Sequence, residues 1–177
     1  MNNDKIKRLN IGSGPDYRKG WVNLDYNSNY NCDVVHNLDK FPYPFKKGEF
    51  DFIYCSHILE HVSDLFKTLD ELDRITRKGG LIHIRVPHFS NGNGYNDLTH
   101  RRFFGWFTFS QMESGYYNRK FNFKVVGKRF NFLSVEHPNL NKLFNWFFKI
   151  IPKQFYERFL CWIIPVGEIE VMLKKTS

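Results

Sequence analysis

Residues 9–26 (LNIGSGPDYRKGWVNLDY) carry the pattern that decides the fold. An apolar run ends in the Gly-Ser-Gly of residues 12–14, and a second apolar run ends at Asp25. In a dinucleotide-binding fold a helix separates such landmarks, and the acidic residue follows the glycines by about 20 residues. Here Asp25 lies only 11 residues after Gly14. The stretch predicts two strands joined by a short loop, which is either a ligand site without its usual helix or a plain turn.

Composition indicates one folded domain spanning residues 1–177. Hydrophobic residues make up 42% of the 177 residues, enough for a substantial core. No apolar run reaches the roughly 18 residues of a membrane span, and residues 1–10 contain no apolar signal core, so we expect a cytoplasmic protein. The three cysteines are widely spaced, which favours reduced thiols over a disulfide framework.

The chain is basic, with a formal net charge of +8 and a pI near 9.4. The positive residues are scattered, so they indicate either an attraction for anionic partners or an ordinary solvated surface. No RNP box or zinc finger is present, and a nucleic-acid partner is not expected from motifs.

Apolar periodicity predicts strands over residues 7–12, 21–26, 33–36, 51–55 and 81–86, with a helix over 63–78 before the last of them. The helix has a stripe of leucine and isoleucine, Ser63 as its N-cap and Gly79 as its terminator. Beyond residue 87 we expect a loop to 111, a hairpin over 121–133, helices at 141–149 and 153–164, and a strand at 168–174. The pattern predicts an α/β fold with an open, mostly parallel sheet covered by helices.

Several polar residues fall at the carboxyl ends of the predicted strands, where open α/β sheets bind ligands. Gly12 and Gly14 permit a sharp turn and close approach of a ligand. Asp25 is placed to accept hydrogen bonds from a ribose diol, and Asn37-Leu38 to contact adenine. A simple glycine turn, a surface aspartate and a turn-forming asparagine are the structural alternatives.

The fourth strand is followed by two histidines, His57 and His61, four residues apart. They would share a face of a helical turn. Two histidines are too few for a metal site, and no H-E-x-x-H order is present, so no metal is predicted. Proton transfer or positioning suits His57, and a packing or capping role suits His61.

Taken in order, these segments resemble the class I S-adenosylmethionine-dependent methyltransferases. The segments are LNIGSG, VNLD, NLDKFPYPF, FDFIYCSHILEHV and ELDRITRKGGLIHIRVP, with a weaker similarity at DLTHRRFF. They are similar to a small type 11-like group with a shortened first loop. The resemblance implies a three-layer, Rossmann-like fold of about seven strands with the last antiparallel, and S-adenosylmethionine as cofactor.

The resemblance also assigns roles residue by residue. The implied cofactor-binding residues are Asn10, Gly12, Ser13, Gly14, Asp25, Asn37, Leu38, Ser56 and His57. Residues 88–120 would form an acceptor-side insertion. Four residues are candidates for the catalytic base that takes the acceptor's proton: His57, His88, Asp97 and His100.

We therefore predict methyl transfer to an oxygen or nitrogen of a small molecule or glycan intermediate. An RNA methyltransferase and a non-catalytic scaffold of the same fold remain alternatives. The aromatic C-terminal helices, about residues 141–164, are expected to pack on the sheet or form a homodimer interface, with peripheral membrane contact as the other option. The assembly is expected to be a monomer or a homodimer.

Overall fold

The computed structural model describes residues 6–115, 119, 121–133 and 138–177, and every structural statement below concerns these residues. Four strands precede the first helix along the chain. The strands are β1 Arg8–Ile11, β2 Val22–Asp25, β3 Val34–Val35, β4 Phe50–Ser56, β5 Thr76–Pro87, β6 Phe123–Asn131 and β7 Glu168–Lys175. The helices are α1 Leu65–Ile75, α2 Asn93–Asn96, α3 Gln111–Ser114, α4 Pro138–Ile150 and α5 Lys153–Phe155, the last continuing into a π-helical segment, Tyr156–Leu160.

The seven strands form one sheet in the order β3-β2-β1-β4-β5-β7-β6. Strands β1 to β5 pair in parallel, whereas β7 is antiparallel to both β5 and β6. This confirms the predicted Rossmann-like α/β fold with an antiparallel last strand. The order reverses at β1, so the carboxyl ends of β1, β2 and β4 meet beside one another at the edge where such sheets bind ligands.

The central strands are apolar runs because both of their faces are covered. Leu9, Ile11, Leu24, Ile53 and Ile84 are all buried and belong to one hydrophobic core. Their burial helps to fix the register of β1, β2, β4 and β5, since a shift by one residue would turn every side chain to the other face of the sheet. The register in turn fixes which residues emerge at the carboxyl edge.

Helix α1 is shorter than the predicted helix 63–78. Asp64, not Ser63, is the N-cap, and its side chain accepts a hydrogen bond from the Lys67 amide at 3.0 Å. Ser63 instead donates its amide and hydroxyl to Asp39. The helix ends at Ile75 because the next residue, Thr76, already pairs with Phe50 in the sheet, so sheet pairing outcompetes further helical turns.

The predicted hairpin over residues 121–133 is wrong. Residues 123–131 form the single strand β6, which pairs along its length with β7. The pairing register shifts between Val125 and Gly127, as in a β-bulge, and that shift explains why the alternation of apolar residues breaks at the glycine. The predicted helix 153–164 is also shorter, since helical structure ends at Leu160.

The C-terminal aromatic segment is only partly covered by the fold. Phe148, Tyr156 and Cys161 are buried against the sheet, where Phe130 of β6 contacts Phe148 and Tyr156. Other large apolar side chains of the segment, Trp146, Ile150, Phe155, Phe159, Trp162 and Ile163, are exposed. Packing on the sheet therefore accounts for one face of the segment. No helix among the described residues is both long and apolar enough to span a membrane.

A partly buried ion pair attaches the loop after β3 to helix α1. The Glu71 carboxylate accepts two hydrogen bonds from Arg74, both at 2.7 Å, and a third from the Tyr43 amide at 2.6 Å. Arg74 also donates to the carbonyls of Phe45 and Tyr43. The Tyr43 hydroxyl in turn donates to the Leu38 carbonyl at 3.1 Å, so this clamp holds one of the predicted adenine-contacting residues in position.

We expect the Glu71→Ala variant to lose about 2–4 kcal/mol of unfolding free energy, because Arg74 and the Tyr43 amide lose a buried anionic partner. Asp70→Ala is the matched control on the same helix. It removes only the exposed ion pair with Arg119 and should change stability by no more than about 0.5 kcal/mol. Urea denaturation of both variants measures the difference, and equal losses would show that the clamp contributes nothing beyond a surface pair.

Candidate active site

The loop between β1 and β2 is a compact turn built on glycines. Gly12 and Gly14 have φ angles of +66° and +48°, a region that L-residues with a Cβ rarely adopt. The Ser13 amide between them donates to the Leu24 carbonyl at 3.0 Å. The Gly14 amide donates to the Asp25 carboxylate at 2.7 Å. The loop and the acidic residue therefore form one hydrogen-bonded unit at the sheet edge.

Side-chain hydrogen bonds order the short loop between β1 and β2. The buried Asn10 side chain donates to the Asp16 carbonyl at 2.6 Å and to the Asn23 side chain at 3.2 Å. Asn23 accepts from the Arg18 amide at 2.9 Å, and its own amide donates to Asp33 at 2.7 Å. Asn10 thus connects the loop to both β1 and β2. The structure is compatible with the predicted ligand site that lacks its usual helix, because hydrogen bonds from both flanking strands order the short loop.

A cavity of about 260 Å³ opens above this loop. We call it the first cavity, and it is lined by Gly12, Leu24, Asp25, Tyr26, Asn37, Leu38, Asp39, Ile58, His61 and Val62. Four of the predicted cofactor-binding residues thus come together: Gly12, Asp25, Asn37 and Leu38. Asn37 has its side-chain oxygen engaged by the Asp39 amide at 2.9 Å, a turn-stabilising bond of the kind expected of asparagine.

Asp25 is the polar centre of the first cavity. Only 5% of the residue is exposed, and its two carboxylate oxygens accept from the amides of Gly14 and Asn27. A carboxylate oxygen has more than one lone-pair site, so both oxygens retain capacity for a ligand's hydroxyl groups. Ser13 lies beside it and is buried, and its hydroxyl oxygen has no hydrogen-bond partner within the part of the chain that the structure describes. An unpartnered buried hydroxyl at a glycine loop is a position that a polar ligand satisfies.

At the end of β4 the chain makes a strained turn at His57, whose φ angle is +51°. One ring nitrogen, Nε2, lies 3.0 Å from Glu168, and the other, Nδ1, lies 3.4 Å from Glu60. Burial by itself lowers the pKa of His57, but the two carboxylates outweigh it and raise the pKa to about 9. His57 is therefore a cation at neutral pH and has no lone pair with which to act as a general base.

Glu168, the first residue of β7, forms hydrogen bonds with residues from β5, β6 and the turn after β4. It is 2% exposed, and Arg85 of β5 donates to both of its oxygens at 2.8 and 3.1 Å. Asn131 of β6 donates to it at 3.0 Å. Burial raises the pKa of the Glu168 carboxyl, but His57 and Arg85 together hold it below the ordinary value. Ser56 lies next to this network, with its hydroxyl accepting from Arg85 at 3.3 Å, rather than in the first cavity.

A second cavity of about 560 Å³ adjoins this network. Its polar lining comes from residues far apart in sequence, namely His57, Glu60, His61, Asn91, Asn93, Asp97, His100 and Glu168, with backbone and apolar atoms completing the wall. His61 lines both cavities, so the two are neighbours across one imidazole ring. A ligand in the first cavity and a ligand in the second would meet near this histidine.

The three predicted catalytic residues beyond β5 lie in different environments, one in the core and two in the wall of the second cavity. His88 is fully buried, with Nδ1 bonded to the Ser90 hydroxyl at 2.7 Å and Nε2 3.2 Å from Glu157, so it does not reach the cavity. Asp97 and His100 both line the second cavity, 3.7 Å apart, as an acid–imidazole pair. His88 is a core residue because the aromatic rings of Phe89 and Phe130 cover it.

Arg102 explains how His100 reaches the cavity. Its guanidinium donates to the carbonyls of Leu59, Val62 and Ser63, at 2.9, 2.5 and 3.1 Å. The segment after β5 is thereby tied to the turn after β4.

Sequence reasoning missed Glu60 and Glu168. Glu60 sits between two histidines in HILEH and reads as an ordinary surface acid, yet it is only 1% exposed. Glu168 lies 111 residues from His57, and no local pattern links them. The only available signal was the unusual number of charged residues beside apolar strand ends, which does not reveal their pairing.

The strand order and the glycine loop with its acidic partner define the class I methyltransferase fold. Within it, residues 14–84 match the sequence family described as "Methyltransferase domain". Over these residues the chain is similar to methyltransferases, of the type 11 kind that its motifs resemble.

Solved structures share the fold over nearly the whole chain. An S-adenosylmethionine-dependent methyltransferase from Archaeoglobus fulgidus matches 96% of this chain and 86% of its own, with 18% identity and a TM-score of 0.65. One from Mesorhizobium loti matches 96% and 91%, with 12% identity and a TM-score of 0.60.

The [4+2]-cyclase SpnF also shares the fold, matching 97% and 74% with 10% identity and a TM-score of 0.59. At these identities the likeness establishes the fold alone. A comparison with curated proteins gives no match.

We expect Gly12→Ala to weaken ligand binding in the first cavity more than Gly14→Ala does. Both substitutions place a Cβ at positive φ, costing about 1 kcal/mol of stability. The added Cβ at Gly12 lies 2.5 Å from the Ile58 side chain, which must move within the cavity wall, whereas at Gly14 nothing lies within 4 Å. Calorimetric titration of both variants with S-adenosylmethionine checks this, and equal affinities would show that Ile58 does not shape the binding cavity.

Proposed function

We propose that this methyltransferase transfers the methyl group of S-adenosylmethionine to an oxygen or nitrogen of a small polar molecule, such as a glycan intermediate. The observation that carries the proposal is the pair of adjoining cavities, one against the glycine loop and Asp25 and the other lined by histidines and carboxylates. His61 lies between them, where a donor and an acceptor would approach one another.

The first cavity suits the cofactor. Asp25 would accept from the ribose hydroxyls, and Leu38, Ile58 and Val62 supply apolar walls for adenine. The unpartnered Ser13 hydroxyl and the glycine backbone would face the amino-acid end. When bound, S-adenosylmethionine would supply a methyl group activated by its sulfonium, with the neutral thioether as the leaving group. The residues of the first cavity need only hold and orient the cofactor, because positioning provides much of the rate enhancement in such a reaction.

The second cavity suits an uncharged or cationic acceptor. Glu60, Asp97 and Glu168 place carboxylates in its wall, and of these only Glu168 is paired with an arginine. Anionic groups such as phosphates would be repelled, while hydroxyl and amino groups find hydrogen-bond acceptors. Asn91 and Asn93 add neutral polar groups to the same wall.

Proton removal falls to the acceptors of the second cavity rather than to the two other predicted histidines. His57 is held protonated, and it can donate a hydrogen bond or stabilise negative charge. His88 is enclosed in the core. Asp97 and His100 keep the role predicted for them, with His61 and Glu60 as further proton acceptors on the same wall.

RNA is a second candidate acceptor, favoured by one observation. A separate surface cavity of about 590 Å³ is lined by Trp106, Lys128, Arg129, Phe130, Lys142, Asn145, Trp146, Phe148, Lys149 and Lys153. Cations interleaved with aromatic rings are typical of single-stranded nucleic-acid surfaces. Filter binding of RNA across a salt series decides the matter, since a genuine electrostatic contact weakens steeply with salt and the absence of binding at low salt excludes this candidate.

We expect Asp25→Ala to weaken binding of S-adenosylmethionine by about 10- to 100-fold, the loss of one or two hydrogen bonds to a charged group. Asp16→Ala is the control, because Asp16 belongs to the same loop but its carboxylate pairs with exposed Arg18. Calorimetry gives the affinities, thermal melts confirm folding, and a labelled-methyl assay with sugar and amine acceptors then tests turnover. Failure of the wild-type protein to bind the cofactor would refute the proposed function, and binding without turnover on any acceptor would favour the scaffold alternative.

A further inference from the structure

Three side chains of the second cavity, Glu60, His61 and His100, converge in a way that hydrogen bonding within the protein does not explain. We call them the His–Glu cluster. One ligand-type atom from each lies within 4.8 Å of those of the other two. Glu60 and His61 come from the turn after β4, whereas His100 comes from the segment that Arg102 ties to that turn. The rings of His61 and His100 lie 4.7 Å apart at a steep angle.

The hydrogen bonds of the two histidines fix their tautomers. Nδ1 of His100 lies 2.9 Å from the Gly94 carbonyl oxygen, which only accepts, so this nitrogen carries the proton. Nδ1 of His61 lies 2.8 Å from the Thr99 hydroxyl, and that hydroxyl already donates its single hydrogen to Asp97 at 2.6 Å. Nδ1 of His61 is therefore the donor as well. Each neutral ring keeps its lone pair on Nε2.

Glu60 presents a second set of acceptors without a donor. Both of its carboxylate oxygens are buried, and neither has a hydrogen-bond partner among the described residues. The nearest cation is His57, at 3.4 Å, a distance that allows attraction but only a weak hydrogen bond, and its other nitrogen is bonded to Glu168. A carboxylate withdrawn from water without donors is strongly destabilising. One ligand-type atom of each histidine and one of this carboxylate lie within 4.8 Å of one another, so a cation held between them would compensate the charge of Glu60.

We propose that the His–Glu cluster binds a divalent first-row transition ion of the Zn²⁺ kind. Two imidazoles and one carboxylate form a donor set that such ions prefer, whereas Mg²⁺ and Ca²⁺ favour oxygen donors alone. Nδ1–H bonds to a carbonyl and a hydroxyl are the outer-shell contacts that orient histidine ligands. Asp97, whose carboxylate lies 3.7 Å from Nε2 of His100, flanks the site.

The site was not expected from the sequence, because His57 and His61 were the only neighbouring histidines. In the structure His57 points to Glu168, and the third ligand, His100, arrives from 39 residues beyond His61 through the fold. Three protein ligands leave coordination positions open to the cavity. The inference rests on the proposed function for its role: the ion would hold an oxygen or nitrogen of the methyl acceptor, and Asp97, rather than an ion-bound histidine, would then take the proton. Ion binding itself needs no methyl transfer.

The test is titration of chelator-treated, dialysed full-length protein with Zn²⁺ by calorimetry and with Co²⁺ by visible absorption. We expect one ion per chain, a Co²⁺ spectrum typical of nitrogen and oxygen ligands, and a rise of the melting temperature with Zn²⁺. Glu60→Gln and His100→Gln should each weaken Zn²⁺ binding by about 10- to 100-fold or more. His83→Gln is the matched control, because His83 is bonded to Glu170 at 2.6 Å outside the second cavity, and its affinity should be unchanged.

A folded wild-type protein that binds neither ion overturns the proposal, as does an affinity that both cluster variants leave intact. An equal loss in His83→Gln would also overturn it, because the ion would then sit elsewhere. If Glu60→Gln does not fold, His100→Gln decides alone. Titration with S-adenosylmethionine in the presence of chelator separates the two proposals: cofactor binding without ion binding refutes only the metal site, and ion binding without cofactor binding refutes only the proposed function.

Discussion

The structure depends on one constraint, that a carboxylate removed from water must have its charge compensated. Three carboxylates lie along the carboxyl edge of the sheet, and each is handled differently. Asp25 is compensated by backbone amides of the loops beside it. Glu168 is compensated by Arg85, Asn131 and His57. Glu60 has only the distant His57, at 3.4 Å, as a charge partner among the described residues. The first two fix the walls of the site, and the third is the carboxylate at which we propose a bound ion.

Compensation of Glu168 shapes the acceptor side. Its partners come from β5, β6 and the turn after β4, so a single buried carboxylate joins elements that are distant in sequence. The same contacts hold His57 at a positive φ and keep it protonated. A residue that resembles a general base in sequence thus becomes a fixed positive charge. Electrostatics, rather than residue type, decides its chemistry.

The cofactor side shows how a loop can be shortened without loss of order. The usual helix after the first glycines is replaced by hydrogen bonds of short polar side chains: Asn10 donates to the Asp16 carbonyl, Asn23 accepts from the Arg18 amide, and Asp33 accepts from the Asn23 amide. Each of these side chains is short, so it loses little conformational entropy when it is fixed. The pocket is then completed by Leu38 and Val62, which the Glu71–Arg74 clamp and the turn after β4 hold in place.

The sequence by itself determined the sheet class, the parallel first half, and the residues at the strand ends, because these follow from local apolar periodicity and from glycines that permit unusual backbone angles. Gly12, Asp25, Asn37 and Leu38 could be predicted together for this reason. Tertiary structure alone decided the ends of α1, the single strand at 123–131, the burial of His88, and the meeting of Glu60, His61 and His100. Those features arise from pairing and burial between distant segments. A short window of sequence reports which face a residue prefers, but not which charge or ring will lie opposite it.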